Sequence, residues 1–181
     1  MKRARNLLLI SAAIIAVYAL PAYAQTADPA GAVNLENKIS KELRKLPYYG
    51  VYDHIAFEVK GDTVFLTGKV LNPINRRHAE TYIKDLNGVA EVVNDIEVLP
   101  ASSFDDSIRR QTVRAFANGG SIYRYLQGPN PSVRIIVENG RLTLEGVVSN
   151  AGDSNLANIL ASSIPGVFKV TNRLQVSGGQ S

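Results

Sequence analysis

The sequence predicts an α+β protein: two tandem α-β-β-α-β domains, each a three-stranded sheet with two helices packed on one face. Three observations predict it. Sliding the chain on itself by 78 residues aligns 59–98 with 137–176 without a gap, and 11 of those 40 positions are identical. Within each copy, period-two alternation gives way to helical spacing and then returns. Glycine and asparagine stand at the same offsets in both copies, where turns and strand ends are wanted.

The elements follow in order. Leu35, Ile39, Leu43 and Leu46 share one helical face, with Asn34 as the expected N-cap and Pro47 as the stop. Ile55, Phe57 and Val59 alternate, turn at Gly61-Asp62, and alternate again through Val64, Leu66, Gly68 and Val70, which is a hairpin with one covered face. Asn75 is the expected start of a second helix with Ala79, Tyr82, Ile83 and Leu86 inward, and Gly88 stands where a left-handed C-cap is needed. Val92, Asn94, Ile96 and Val98 make the last strand. The second copy is expected to cap its last helix with Asp153, to bury Ala157, Leu160, Ala161 and Ile164, and to close with Val170, Asn172, Leu174 and Val176. Gly68 and Gly146 are read as packing residues that let a helix approach the sheet. Asn94 and Asn172 are read as buried amides bonding nearby backbone.

These elements divide the chain into 1–24 as a signal peptide, 25–33 as a flexible mature N-terminus, 34–99 as the first domain, 100–104 as linker, 105–177 as the second domain and 178–181 as a tail. Lys2, Arg3 and Arg5 precede an apolar run from Leu7 to Leu20 and a small-x-small exit at Ala22-Tyr23-Ala24. That run is shorter than the roughly 20 residues a bilayer span needs. Export to the periplasm with cleavage after Ala24 is the expectation, and the absence of cysteine closes the lipoprotein route.

Cleavage changes the charge. It removes three of 20 basic residues and none of 16 acidic ones, so a formal +4 becomes +1. A globally basic surface for nucleic acid is therefore not expected. The lack of cysteine also excludes disulfides, thiol catalysis and thiolate metal sites. His54 and His78 are the two histidines, and neither has a ligand or triad partner at useful spacing. Phosphate loops, nucleophile elbows and zinc-protease motifs are absent. No catalytic residue, metal site or cofactor is expected.

Leu66-Thr67-Gly68 and Leu144-Glu145-Gly146 end the two hairpins, and Gly88 to Val98 is echoed by Gly166 to Val176 as GV-x-x-V-x-N-x-x-x-V. This pattern resembles the BON domain family over nearly all of 34–177. Two copies behind a signal peptide are similar to the osmotically inducible periplasmic proteins of bacteria. The resemblance implies envelope integrity, binding of anionic phospholipid and, in some members, assistance to other envelope proteins, with no catalytic residues to carry over. The structural motif it implies here is Gly68, Gly88, Asn94, Gly146, Gly166 and Asn172.

The second copy is longer before its first strand, and the extra length holds Gly119-Gly120 and Ile122 to Leu126. On a helix expected from Asp106 to about Ala117, Arg110 and Arg114 share the outer face with Arg109 at its margin. Arg109, Arg110, Arg114, Tyr123, Arg124 and Tyr125 are the candidate lipid-binding residues, since arginine beside tyrosine suits an anionic, partly apolar interface. Tyr48, Tyr49 and Tyr52 are read as a lid on the first core. The expected function is peripheral binding to anionic phospholipid. The alternative is chaperone-like binding of unfolded or assembling envelope proteins, which an exposed patch at Phe65, Val93 and Ile136 would favour. N-terminal sequencing of the exported protein is expected to begin at Gln25, and a retained leader would refute cleavage.

Overall fold

Asparagine, serine and proline set where the helices begin. The computed structural model describes residues 29–178. The signal peptide expected over 1–24 lies outside the described residues. Helix α1 spans Pro29–Leu43, so 29–33 is helical rather than a flexible end, and Asn34 lies inside the helix instead of capping it. Helix α2 spans Pro73–Lys84. Its N-cap is Asn72, whose side chain accepts from the Ile74 amide, and Pro73 occupies the first position, where a missing N–H costs nothing. The expected start at Asn75 was one turn late. Helix α3 spans Ser103–Asn118 and is capped by Ser102, so it starts three residues before the expected Asp106. Helix α4 spans Ala151–Ser162 and is capped by Asn150, whose side chain accepts from the Asp153 amide. Asp153 is thereby freed for another task.

The strands are β1 (His54–Lys60), β2 (Thr63–Val70) and β3 (Glu91–Val98) in the first domain, and β4 (Val133–Glu138), β5 (Arg141–Val148) and β6 (Lys169–Val176) in the second. Each sheet has its second strand in the centre, antiparallel to the first and parallel to the third. The 78-residue offset holds in three dimensions: Leu66 faces Asn94 across β2 and β3, and Leu144 faces Asn172 across β5 and β6. Val64, Leu66 and Val70 bury against α1 and α2, as Leu142, Leu144 and Val148 bury under α3 and α4. Fully burying one such side chain contributes about 1.5–3 kcal/mol.

Gly68 and Gly146 have φ of +117° and +116°. A Cβ on Gly68 would lie 2.2 Å from the His54 carbonyl oxygen, and one on Gly146 would lie 2.0 Å from that of Ser132. The close neighbour is the adjoining strand, not a helix as the sequence suggested. Gly88 and Gly166 also have positive φ. Asn94 and Asn172 are half-buried and exposed rather than buried. Each carries an edge strand's bond to a helix: the Asn94 amide donates to the Arg76 carbonyl at 2.9 Å, and that of Asn172 to the Ser154 carbonyl at 3.1 Å.

The extra length of the second copy forms a 3-10 segment, Gly120–Leu126, that packs Ile122 and Tyr125 into its own domain's core. The two domains also touch. The Ile135 amide on β4, an edge strand, donates to the Val51 carbonyl at 2.7 Å. The Arg134 guanidinium donates to the Gly50 carbonyl at 2.7 Å and lies over the Tyr49 ring. Tyr49 does close the first core, with its hydroxyl accepting from the Ile55 amide. Tyr48 is exposed, and Tyr52 packs on the second domain.

Gly68→Ala is expected to destabilise the first domain by more than about 1–3 kcal/mol, the usual cost of one strained backbone position, because a backbone clash is added. Gly88→Ala meets no atom within 4 Å and is expected to cost less. Denaturant midpoints of the two variants check the order.

Candidate functional site

The six basic and aromatic residues expected to bind lipid separate into two groups. Arg109 is 1% exposed. Helical phase turns it toward β4, where its guanidinium donates to the Val137 carbonyl at 2.5 Å and pairs with Asp106 at 2.6 Å. It fastens α3 to the sheet and is not at the margin of an outer face. Tyr125 is also buried. Its hydroxyl donates to the Asp153 carboxylate at 2.6 Å and accepts from the Ser149 amide. Arg124 donates to the same carboxylate at 2.5 Å and lies over the Tyr125 ring. Ser121 and Asn150 complete the set around Asp153. Arg110, Arg114 and Tyr123 remain exposed, and the two arginines have no ion pair among the described residues.

The donors around Asp153, Tyr125 first and then Ser121 and Arg124, hold its carboxyl down from an ordinary 3.8 to about 2. A depressed carboxylate stabilises the fold above the unfolded value and loses that stabilisation as pH falls through the folded one.

An aromatic pair that sequence reasoning missed stands at the end of the second domain. Phe104 and Phe168 are 47% and 78% exposed, with ring centroids 6.1 Å apart at an interplanar angle of 27°. Each ring lies over a glycine: a Cβ on Gly166 would be 3.1 Å from the Phe104 ring, and one on Gly140 2.5 Å from that of Phe168. Asp105 secures the neighbouring turn by accepting from the Asn139 and Gly140 amides, both at 2.9 Å. Arg141 follows Gly140 and Lys169 follows Phe168, and the two are exposed neighbours across β5 and β6. The signal was present: Phe168 replaces Ala90 at the 78-residue offset.

The helix-free faces of the two sheets line a common cleft of about 890 Å³. Lys69 spans it, bonding Glu138 of the other domain at 2.6 Å and Glu97 of its own at 2.9 Å. Those two carboxylates hold the Lys69 ammonium above its ordinary range. Arg173 pairs with Glu145 at 3.0 Å. Burial pushes the His54 imidazole below its ordinary range, so it is neutral at pH 7. No group of three potential metal ligands occurs among the described residues, and none of their helices is long and apolar enough to cross a membrane.

Asp153→Asn is expected to lower the melting temperature at pH 7. The gap from the parent should close as pH falls from about 4 to about 2, where Asp153 of the parent protonates. Thermal denaturation across that range checks it; a gap constant with pH would refute the role.

The family model described as the BON domain matches residues 32–100 and 105–178. No curated protein matches the chain. Among solved structures, the chain is similar to the C-terminal domain of CdsD, a structural protein of the type III secretion system of Chlamydia trachomatis. The identity is 15%, with 80% of this chain and 98% of that chain covered and a TM-score of 0.29. A second CdsD structure gives 13% identity over 78% of this chain and 91% of that chain, with a TM-score of 0.31. Both repeat units are matched over their length, and the chain belongs to the BON domain family, membrane- and phospholipid-binding domains of envelope proteins.

Proposed function

We propose that this protein binds the surface of an anionic phospholipid membrane peripherally, through its second domain and without catalysis. The observation that carries the reading is the exposed Phe104–Phe168 pair flanked by Arg141 and Lys169. Aromatic rings are favoured at the headgroup layer, and each cation near an acidic leaflet gains about 1 kcal/mol. Arg110 and Arg114 on α3 and Tyr123 in the 3-10 segment that follows it are exposed as well. Arg109 and Tyr125 support the domain from within, and Arg124, itself exposed, is tied to Asp153. The basic residues of α1 and the turn after it are a weaker candidate, because Lys45 is paired with Glu42. Chaperone-like binding needed an open apolar patch at Phe65, Val93 and Ile136. Ile136 is 6% exposed and Lys60 lies over the Phe65 ring, which leaves little of that patch.

Sedimentation with phosphatidylglycerol-containing vesicles tests the proposal. The double variant F104A/F168A is expected to lose binding about ten-fold or more, with little dependence on salt. R110E/R114E should lose binding mainly at low salt, where charges are least screened. Failure of the parent protein to sediment at low salt, or equal binding to neutral vesicles, would overturn it.

A further inference from the structure

Charges on the cleft walls are unevenly satisfied. On the β5–β6 wall the register sets Arg141 beside Lys169, Thr143 beside Thr171, and Glu145 beside Arg173; all six line the cleft. The last pair is neutralised by its own ion pair. Glu138 faces Arg141 across β4 and β5, yet its carboxylate bonds Lys69 of the first domain. Arg141 and Lys169 are thus left side by side with no ion-pair partner among the described residues. Like charges directly across adjacent strands are unfavourable, and two hydroxyl-bearing residues stand next to them.

The first copy lacks this arrangement. At the 78-residue offset it carries Thr63 beside Glu91 and Phe65 beside Val93, on the same strands in the same register. The fold therefore does not require the cation pair.

We infer that Arg141, Lys169, Thr143 and Thr171 form a binding site for a compact oxyanion of the phosphate class. Two cations supply charge-assisted bonds and the hydroxyls supply further donors. Asp95 on the facing wall disfavours an extended polyanion. A lipid headgroup and a soluble phosphate ester share this chemistry. The headgroup source deepens the proposal above and rests on it; the oxyanion site does not.

The test titrates inorganic phosphate into the full chain and follows backbone amides by NMR. Saturable shifts at Thr143 and Thr171 are expected. R141T/K169E installs the residues the first copy already carries there, and R141Q/K169Q provides a second route should that variant misfold. Either folded variant should weaken phosphate binding about ten-fold or more, whereas R76E/R77E on α2 should not. Vesicle sedimentation of the same variants separates the sources. Parallel loss of vesicle binding assigns the site to headgroups, and retained vesicle binding with lost phosphate binding assigns it to a soluble ester. Absence of saturable shifts at Thr143 and Thr171, or equal phosphate binding by a folded variant, would overturn the inference even if the parent still binds acidic vesicles.

Discussion

A strand that buries every residue from Val133 to Val137 cannot stand uncovered at the edge of a three-stranded sheet. Its inner side chains enter the core under α3 and α4 in the usual way. Arg134 and Ile136 point the other way, and its free backbone edge needs a donor or acceptor from elsewhere. The first domain meets these needs with one short stretch. Val51 offers its carbonyl to Ile135, Gly50 offers one to Arg134, and the Tyr49 ring underlies the guanidinium. Burial pushes the Arg134 guanidinium below its ordinary range, and the carbonyl and ring are what it receives in exchange for water. The cleft between the two helix-free sheet faces follows from this arrangement.

Around that constraint the duplicated scaffold has kept its backbone and changed its surfaces. Strand registers, the left-handed glycine in each central strand and the asparagine clamp from edge strand to helix recur at the same offset. Around Asp153 and Asn75, equivalent in the repeat, the copies part. Asp153 gathers Tyr125, Ser121, Arg124 and Asn150, while the side-chain amide of the wholly buried Asn75 bonds no protein atom among the described residues. In the first domain Asp53 holds the corresponding backbone instead, accepting from the Gly50 and Leu71 amides. The loop with most to support in the second copy has its own polar centre.

Much of the fold was legible in the sequence because a duplication displays every constraint twice. Alternation located the strands of the first copy, and the constant offset placed those of the second. Helix starts were read one turn late at Asn75 and Asp153 because each lies three residues after another asparagine, and either residue type can cap. Pro73 marked the right choice in the first copy. The late start at Asp106 left Phe104 outside the helix and out of consideration. Arg109 was misplaced because a residue at the border of a helical stripe can turn to either side, and only the Val137 carbonyl decides which. The continuous apolar run Ile135-Ile136-Val137 did differ from the alternation of β1, and it is the trace in sequence of a strand covered on both faces. The cleft could not be read at all, since it exists only in the relative placement of two domains.

The help that β4 receives runs in one direction. The first domain lends a loop, and its own core, from Ile39 to Ile96, is closed without anything from the second. Among the described residues the second lends back the salt link at Glu138 and a share of the cover over residues 49–52. Dissected between the copies, the halves would therefore differ in autonomy. The N-terminal half would keep a finished core, while the C-terminal half would present a β4 edge with an apolar outer residue and a stranded arginine. Such an edge is a template for homotypic strand pairing, and in the intact chain residues 49–52 of the N-terminal copy cover it.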